Sequence, residues 1–167
     1  MAKDYVILVD KNDNDIGVME KLQAHQEGLL HRAFSIFIFN DKEQLLLQKR
    51  ALDKYHSAGL WTNTCCSHPR PNETIKDAAN RRLFEEMGMS CDLTIKTSFI
   101  YKADFENGLT EHELDYVLLG KSSSEPNINS EEVSAYKWQT IGSLKVDIKN
   151  RPEEFTSWFK IALEKLF

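Results

Sequence analysis

Residues 73–89 read Glu73-Thr-Ile-Lys-Asp-Ala-Ala-Asn-Arg-Arg-Leu-Phe-Glu-Glu-Met-Gly-Met89. At about 100° per residue, Ile75, Ala78, Ala79, Leu83 and Met87 fall on one side of a helix. Asn72 stands where an N-cap belongs and Gly88 where a helix stops, so the spacing predicts a helix over Glu73–Met87. Arg82 and Glu86 lie inside the apolar arc, one helical turn apart. Charges on a core-facing arc are costly unless paired or ligated. Two readings stay open from the residues alone: an ion pair at the edge of a core, or a guanidinium and a carboxylate aimed into a cleft.

Around this helix the chain reads as short strands and turns. Tyr5–Val9 is an apolar strand, and Asp10–Asp15 an Asn- and Asp-rich turn. Ala33–Asn40 and Gln44–Arg50 read as a hairpin. Trp61–Cys66, Thr94–Tyr101, Leu114–Gly120 and Val133–Thr140 are further strands. Pro152–Leu166 predicts a second helix, with Phe155, Trp158, Phe159, Ala162, Leu163 and Leu166 in one stripe. Strands with a few helices, and no βαβ alternation, give an α+β class. A chain of 167 residues is one domain, expected to span 1–167.

Charge excludes some partners. Lys+Arg number 21 against Asp+Glu 26, a net charge of -5, so a general nucleic-acid binder is not expected. An anionic ligand would have to be met by cations gathered locally. Tyr5–Val9 is too short for a signal-peptide core or a membrane span, and no later segment reaches that length either. Cys65, Cys66 and Cys91 are an odd count with one vicinal pair, which is no disulfide framework. A cytoplasmic protein without membrane partners is expected.

His25, His31 and His68 stand with Glu111 and Glu113 as candidate metal ligands. Residues at i and i+2 of an extended chain point the same way, so Cys66 and His68 share a direction, as do Glu111 and Glu113. Three imidazoles and two carboxylates fill most of an octahedral shell for Mn²⁺, Mg²⁺ or Zn²⁺. Singly, each residue reads equally as a solvated or core side chain. His56 and His112 read as structural.

Two motifs carry a resemblance. Ser67-x5-Glu73-x7-Arg81-Arg82-Leu83-x-Glu85-Glu86-x-Gly88-Met89 resembles a Nudix box, G-x5-E-x7-R-E-U-x-E-E-x-G-U with U a large aliphatic residue. Ser67 replaces its Gly, and Arg82 replaces an acid that Nudix hydrolases use to bind metal and split diphosphates. A diphosphate site without hydrolysis is the better inference. Trp61-Thr-Asn-Thr-Cys-Cys-Ser-His-Pro69 and Gly108-Leu-Thr-Glu-His-Glu-Leu114 resemble the signatures of type 1 isopentenyl-diphosphate isomerases, a likeness running from about Val6 to Trp158.

The resemblance implies a Nudix-like mixed sheet flanked by helices in a single domain. It implies His25, His31, His68, Glu111 and Glu113 as metal ligands, and Glu86 as a holder of Mg²⁺ carried by the substrate diphosphate. Lys21, Arg50 and Lys54 match its substrate-binding cations, with Arg82 a candidate addition to them or a partner of Glu86. Cys66 and Glu113 match its acid/base pair, and Tyr101 and Trp158 its active-site aromatics. For Trp158 a plain core role stays open, since it lies on the apolar helix stripe. The implied substrate is a small allylic or homoallylic diphosphate, and the implied state a monomer in isoprenoid biosynthesis. The reaction protonates an alkene and removes a proton elsewhere, which needs two acid/base groups around the substrate. The thiol of Cys66, of reference pKa about 8.5, ionises if cations lie near. The indole of Trp158 offers an electron-rich wall to a carbocation. Water must be kept out, and the N-terminal segment and C-terminal helix are the candidate covers. The competing readings are a Nudix diphosphohydrolase and an inactive diphosphate-binding module.

Overall fold

The computed structural model describes residues 4–54, 56–105 and 107–167. Their elements run β1 (Tyr5–Val9), β2 (Asp15–Glu20), α1 (Lys21–Glu27), β3 (His31–Phe39), β4 (Gln44–Arg50), β5 (Trp61–Thr62), β6 (Cys65–Ser67) and α2 (Ile75–Met87). After these come β7 (Leu93–Asp104), β8 (Thr110–Lys121), β9 (Val133–Thr140), α3 (Ile141–Asn150), a 3-10 turn (Pro152–Glu154) and α4 (Ser157–Leu166). The class is α+β, as expected, and the sheet is mixed.

β3 organises the sheet. It runs parallel to β8 from His31↔Glu113 to Phe39↔Lys121, and antiparallel to β6. β8 in turn pairs with β7, β4 with β5 and β9, and β1 with β2. Successive side chains of a strand face opposite ways, and both faces of β3 are covered. Phe34, Ile36 and Ile38, with Leu46 and Leu118, pack on Ala78, Ala79, Leu83 and Met87 of α2. Phe37, Leu45, Leu47 and Val117 pack on Leu144, Phe159, Ala162 and Leu163 of the last two helices. This explains why Ala33–Phe39 reads as an almost unbroken apolar run. Burying each such side chain is worth about 1.5–3 kcal/mol.

The hairpin expected of Ala33–Asn40 and Gln44–Arg50 has its turn, but its strands pair only at Phe39↔Leu45. The stretch read as one strand, Trp61–Cys66, is two: β5 joins β4 and β6 joins β3. Thr64 sits at this fork. Its Oγ1 accepts from the Ile38 N–H (3.0 Å) and donates to the Leu46 carbonyl (2.7 Å). Asn63 Nδ2 donates to the carbonyls of Ile36 and Cys65. Side chains thus replace ladder bonds where two strands separate. Thr64→Val keeps the shape and orphans two buried backbone groups, each costing about 1–3 kcal/mol. Urea unfolding is expected to show a loss of about 2 kcal/mol or more; a loss under about 0.5 kcal/mol, the range of an indifferent surface change, contradicts this role.

Other boundaries differ from the sequence reading for local reasons. α2 starts at Ile75, capped by Thr74, whose side chain accepts from the Asp77 N–H; Asn72 instead takes a left-handed turn conformation. Glu73 is held outside the helix by Arg81 and the Arg70 N–H. The helix ends at Gly88 (φ 61°), as expected. A Cβ there would lie 2.4 Å from the Asn127 carbonyl oxygen, so no other residue fits without movement. The second helix is interrupted: Thr156, bound to Thr62 Oγ1 at 2.9 Å, restarts it as α4. α1 and α3 lacked a readable signal. α1 is capped by a glutamate, Glu20, and α3 buries only Leu144. No helix of the described residues is long and apolar enough to cross a membrane.

Candidate functional site

Register assembles the centre. β8 begins at Thr110 rather than Leu114, so Glu111 and Glu113 stand on one face of a strand. Glu113 faces His31 across the parallel ladder and Tyr101 across the antiparallel one. α1 brings His25, and the residue after β6 brings His68. The five expected ligand residues, His25, His31, His68, Glu111 and Glu113, offer ligand atoms that all lie within 4.8 Å of one another. All are buried except the half-buried His68.

The hydrogen bonds reveal what this centre is suited to hold. His25 Nδ1 lies 2.7 Å from the Lys21 carbonyl and His31 Nδ1 2.8 Å from that of Leu29. A carbonyl only accepts, so each Nδ1 carries the proton, and in the neutral ring Nε2 carries the lone pair. Yet His25 Nε2 is 3.0 Å from Glu111 Oε1, and His31 Nε2 is 3.2 Å from Glu113 Oε2. His68 Nε2 lies 2.7 Å from the same Glu113 oxygen. Acceptors facing acceptors require protons or a cation between them. Glu111 Oε2 is moreover buried without a hydrogen-bond donor. Backbone-pinned imidazoles turned toward carboxylates form a donor set that fits a divalent cation.

The titrating groups follow from the same contacts. Burial alone would raise Glu113, but the His68 and His31 side chains gathered at its Oε2 hold it well below the usual carboxylate range. Burial lowers His68 to about 4. Tyr101, whose hydroxyl donates to Glu113, is pushed well up by burial and by that carboxylate.

Cys66 lies on the same cleft. Its thiol is 2.9 Å from Asn63 Oδ1 and 3.6 Å from Ser35 Oγ, and the Trp158 indole N–H donates to Sγ at 3.1 Å. Burial and the charge of Asp115 push its pKa to about 12, so Cys66 is a thiol here and not the thiolate that nearby cations would have produced. Trp158 is both core and cleft: it packs with Phe155 and Phe159 while its ring borders the cavity.

Lys21, Arg50, Lys54, Arg82 and Glu86 line the cavity with Cys66, Tyr101, Glu113 and Trp158. Arg82 does pair with Glu86 (2.5 Å), and also bonds Glu85 (2.9 Å). Glu86 is therefore 5% exposed without being an isolated charge, its other oxygen accepting from Gln48. It is not one of the five clustered ligands. Lys54 pairs with Glu132, and the Arg50 guanidinium lies 5.2 Å from the Trp158 ring centre. Of the two expected covers, α4 supplies Trp158, while Asp4, Tyr5 and Val6 line an adjoining cavity.

Several residues escaped the sequence reading. His56, taken as structural, lines the cavity with Nε2 3.0 Å from Glu111 Oε1. Asp115, pushed well above its usual range by burial, accepts from Ser35 Oγ at 2.7 Å. Its signal was available: Glu111, Glu113 and Asp115 continue a period of two into an apolar strand. Gln48, Asn63 and Glu132 left no such pattern. His112 bonds the Gly28 carbonyl (3.1 Å) away from the centre, as its structural reading had it.

Comparison with known proteins agrees with this geometry. The NUDIX domain family model matches residues 29–159. An isopentenyl-diphosphate Delta-isomerase of Pectobacterium atrosepticum is 50% identical over 96% of this chain and 90% of its own. Isopentenyl-diphosphate Delta-isomerase 2 of Photorhabdus laumondii is 56% identical over 93% of this chain and 88% of its own. A crystal structure of a Deinococcus radiodurans protein superposes with a TM-score of 0.82 over 98% of this chain and 99% of that one, at 18% identity, which speaks for the fold alone. The family that the tryptophan–cysteine and glutamate motifs pointed to is thus established over nearly the whole length, and the chain belongs to the isopentenyl-diphosphate Delta-isomerases, built on a NUDIX domain.

Proposed function

We propose that this protein interconverts isopentenyl diphosphate and dimethylallyl diphosphate by one protonation and one deprotonation. The observation that carries the reading is the convergence of Cys66 and the Tyr101–Glu113 pair on one cation-lined cavity beside the His/Glu cluster. The names of the relatives support it.

In the forward direction a proton is added to the terminal CH₂ of the alkene, leaving positive charge on the tertiary carbon. The C–H bond at C2 then breaks, its electron pair forms the new double bond, and its proton passes to a base. Cys66 and Glu113 are the proposed pair, each able to give or take as direction demands. Cys66 enters as a thiol, held by Asn63, Ser35 and Trp158. Tyr101 shares its proton with Glu113. The Trp158 face attracts the developing cation by about 0.5–2 kcal/mol. Lys21, Arg50, Lys54 and Arg82 bind the diphosphate.

His25, His31, His68, Glu111 and Glu113 would hold one divalent ion (Mn²⁺, Mg²⁺ or Zn²⁺), and Glu86 would help hold Mg²⁺ carried by the diphosphate. Such an ion supplies positive charge beside Glu113, stabilising its carboxylate and acidifying the proton shared with Tyr101. Lys21, Arg50, Lys54 and Arg82 on the lining of the cavity support a small anionic molecule as the occupant, and a monomer is the proposed acting form. Three free cysteines support a cytoplasmic setting.

The test is an incubation of protein with isopentenyl diphosphate and Mg²⁺. Dimethylallyl diphosphate is expected, with conversion lost after chelation and restored by Mn²⁺ or Mg²⁺. Released phosphate or diphosphate from folded, metal-supplied protein would point to hydrolysis instead. Unchanged substrate would leave only a binding module.

A further inference from the structure

We propose that Asn63 is a positioning residue for Cys66, accepting the thiol hydrogen on its Oδ1 in the wall of the cavity. The inference deepens the isomerase reading above and rests on it for what the thiol does. Asn63 is fully buried between β5 and β6, and Cys66 borders the cavity.

The direction of the thiol follows from where each hydrogen can go. Asn63 Nδ2 lies 3.0 Å from the Ile36 carbonyl and 3.1 Å from that of Cys65. Carbonyls only accept, so both amide hydrogens point there and Oδ1 is turned the other way. That oxygen, which only accepts, is 2.9 Å from Cys66 Sγ and 2.9 Å from Thr62 Oγ1, so thiol and hydroxyl both donate to it. Ser35 is the competing acceptor, but its Oγ is 3.6 Å away, and its own hydrogen goes to Asp115. The Trp158 indole N–H, which only donates, takes a sulfur lone pair at 3.1 Å. Sγ is thus held through its hydrogen by Asn63 and through a lone pair by Trp158.

The same network ties the thiol to α4. With its hydrogen committed to Asn63, the Thr62 hydroxyl accepts from Thr156 Oγ1 at 2.9 Å, and Thr156 accepts the Phe159 N–H as the cap of α4. α4 therefore reaches one sulfur twice, directly through Trp158 and indirectly through Thr156, Thr62 and Asn63. This fixes the acid/base group relative to the indole that faces the developing charge. Such placement matters, because a displacement of about 1 Å costs about 10²-fold in rate.

Infrared spectroscopy of the full-length protein tests this without reference to turnover, since a hydrogen bond lowers an S–H stretching frequency. The Cys66 band is the one lost in Cys66→Ala, and in the parent it is expected below the frequency of a thiol in an apolar solvent. Asn63→Leu keeps bulk and removes the acceptor with both donors. Asn63→Asp keeps an oxygen toward Cys66 and gives up the pair of N–H donors. The band is expected to rise in the leucine variant and to stay low in the aspartate variant. In the leucine variant kcat is expected to fall about 10²-fold with KM within about threefold of the parent, and the aspartate variant to recover about tenfold of that loss. A purely structural role, carried by the bonds to Ile36 and Cys65, would move both variants alike and overturns the proposal. Asn63→Ala takes the place of the leucine variant should that one fail to fold, and the parent band is read in any case. An unshifted Cys66 band in the parent, or an unmoved band in the folded leucine or alanine variant, overturns it too. A low band that rises as expected, in a parent without isomerase turnover, overturns the isomerase reading and supports the thiol direction.

Discussion

Glu113→Gln is expected to lower kcat by about 10⁴-fold or more. The residue serves two proposed roles. As one of two acid/base groups it contributes about 10²–10⁴, and as a cation ligand its loss weakens the centre further. The amide is nearly isosteric, but it cannot carry the proton shared with Tyr101 or supply the negative charge at Oε2, which His31 and His68 both approach. Mn²⁺ affinity is expected to fall with kcat, whereas Tyr101→Phe should lower kcat and leave Mn²⁺ affinity near that of the parent. Steady-state assay and Mn²⁺ titration check both. Full activity in folded Glu113→Gln would remove Glu113 from the chemistry.

Cys66→Ala is expected to lower kcat by about 10²–10⁴-fold, or roughly 3–5 kcal/mol of barrier, with little change in Mn²⁺ affinity. Cys66 hydrogen-bonds with Asn63, Ser35 and Trp158 and is not one of the five clustered ligands, so its loss should separate chemistry from metal binding. Cys66→Ser is expected to fall equally, because a hydroxyl in this buried setting is far harder to ionise than a thiol. A kcat within threefold of the parent in either variant would contradict the proposed role.

These contrasts also show which parts of the site the sequence could disclose. The pairing of Arg82 with Glu86 was readable because a helix has a fixed period and both residues broke its apolar face. Glu111 and Glu113 were readable as one strand face for the same reason. The position of Tyr101 beside Glu113 came from family likeness, and only the β7–β8 register supplies its physical cause. His56 offered no period, cap or motif, and only the folded chain brings its ring beside Glu111. The fold was legible where one face is apolar, as in β3 and α2. It was not legible in α1, whose cap is a glutamate, or at the β5–β6 fork, where Thr64 and Asn63 replace backbone partners that no local pattern announces.

The central claim is that two different groups handle the two protons. Turnover of isopentenyl diphosphate in D₂O with Mg²⁺, followed by proton NMR, tests it directly. Dimethylallyl diphosphate carrying deuterium in a methyl group is expected, because the proton delivered comes from one solvent-exchanged group and the proton removed leaves through another. Dimethylallyl diphosphate formed without deuterium would mean that a single shielded group returns the substrate's own proton, and would contradict the division of labour between Cys66 and Glu113.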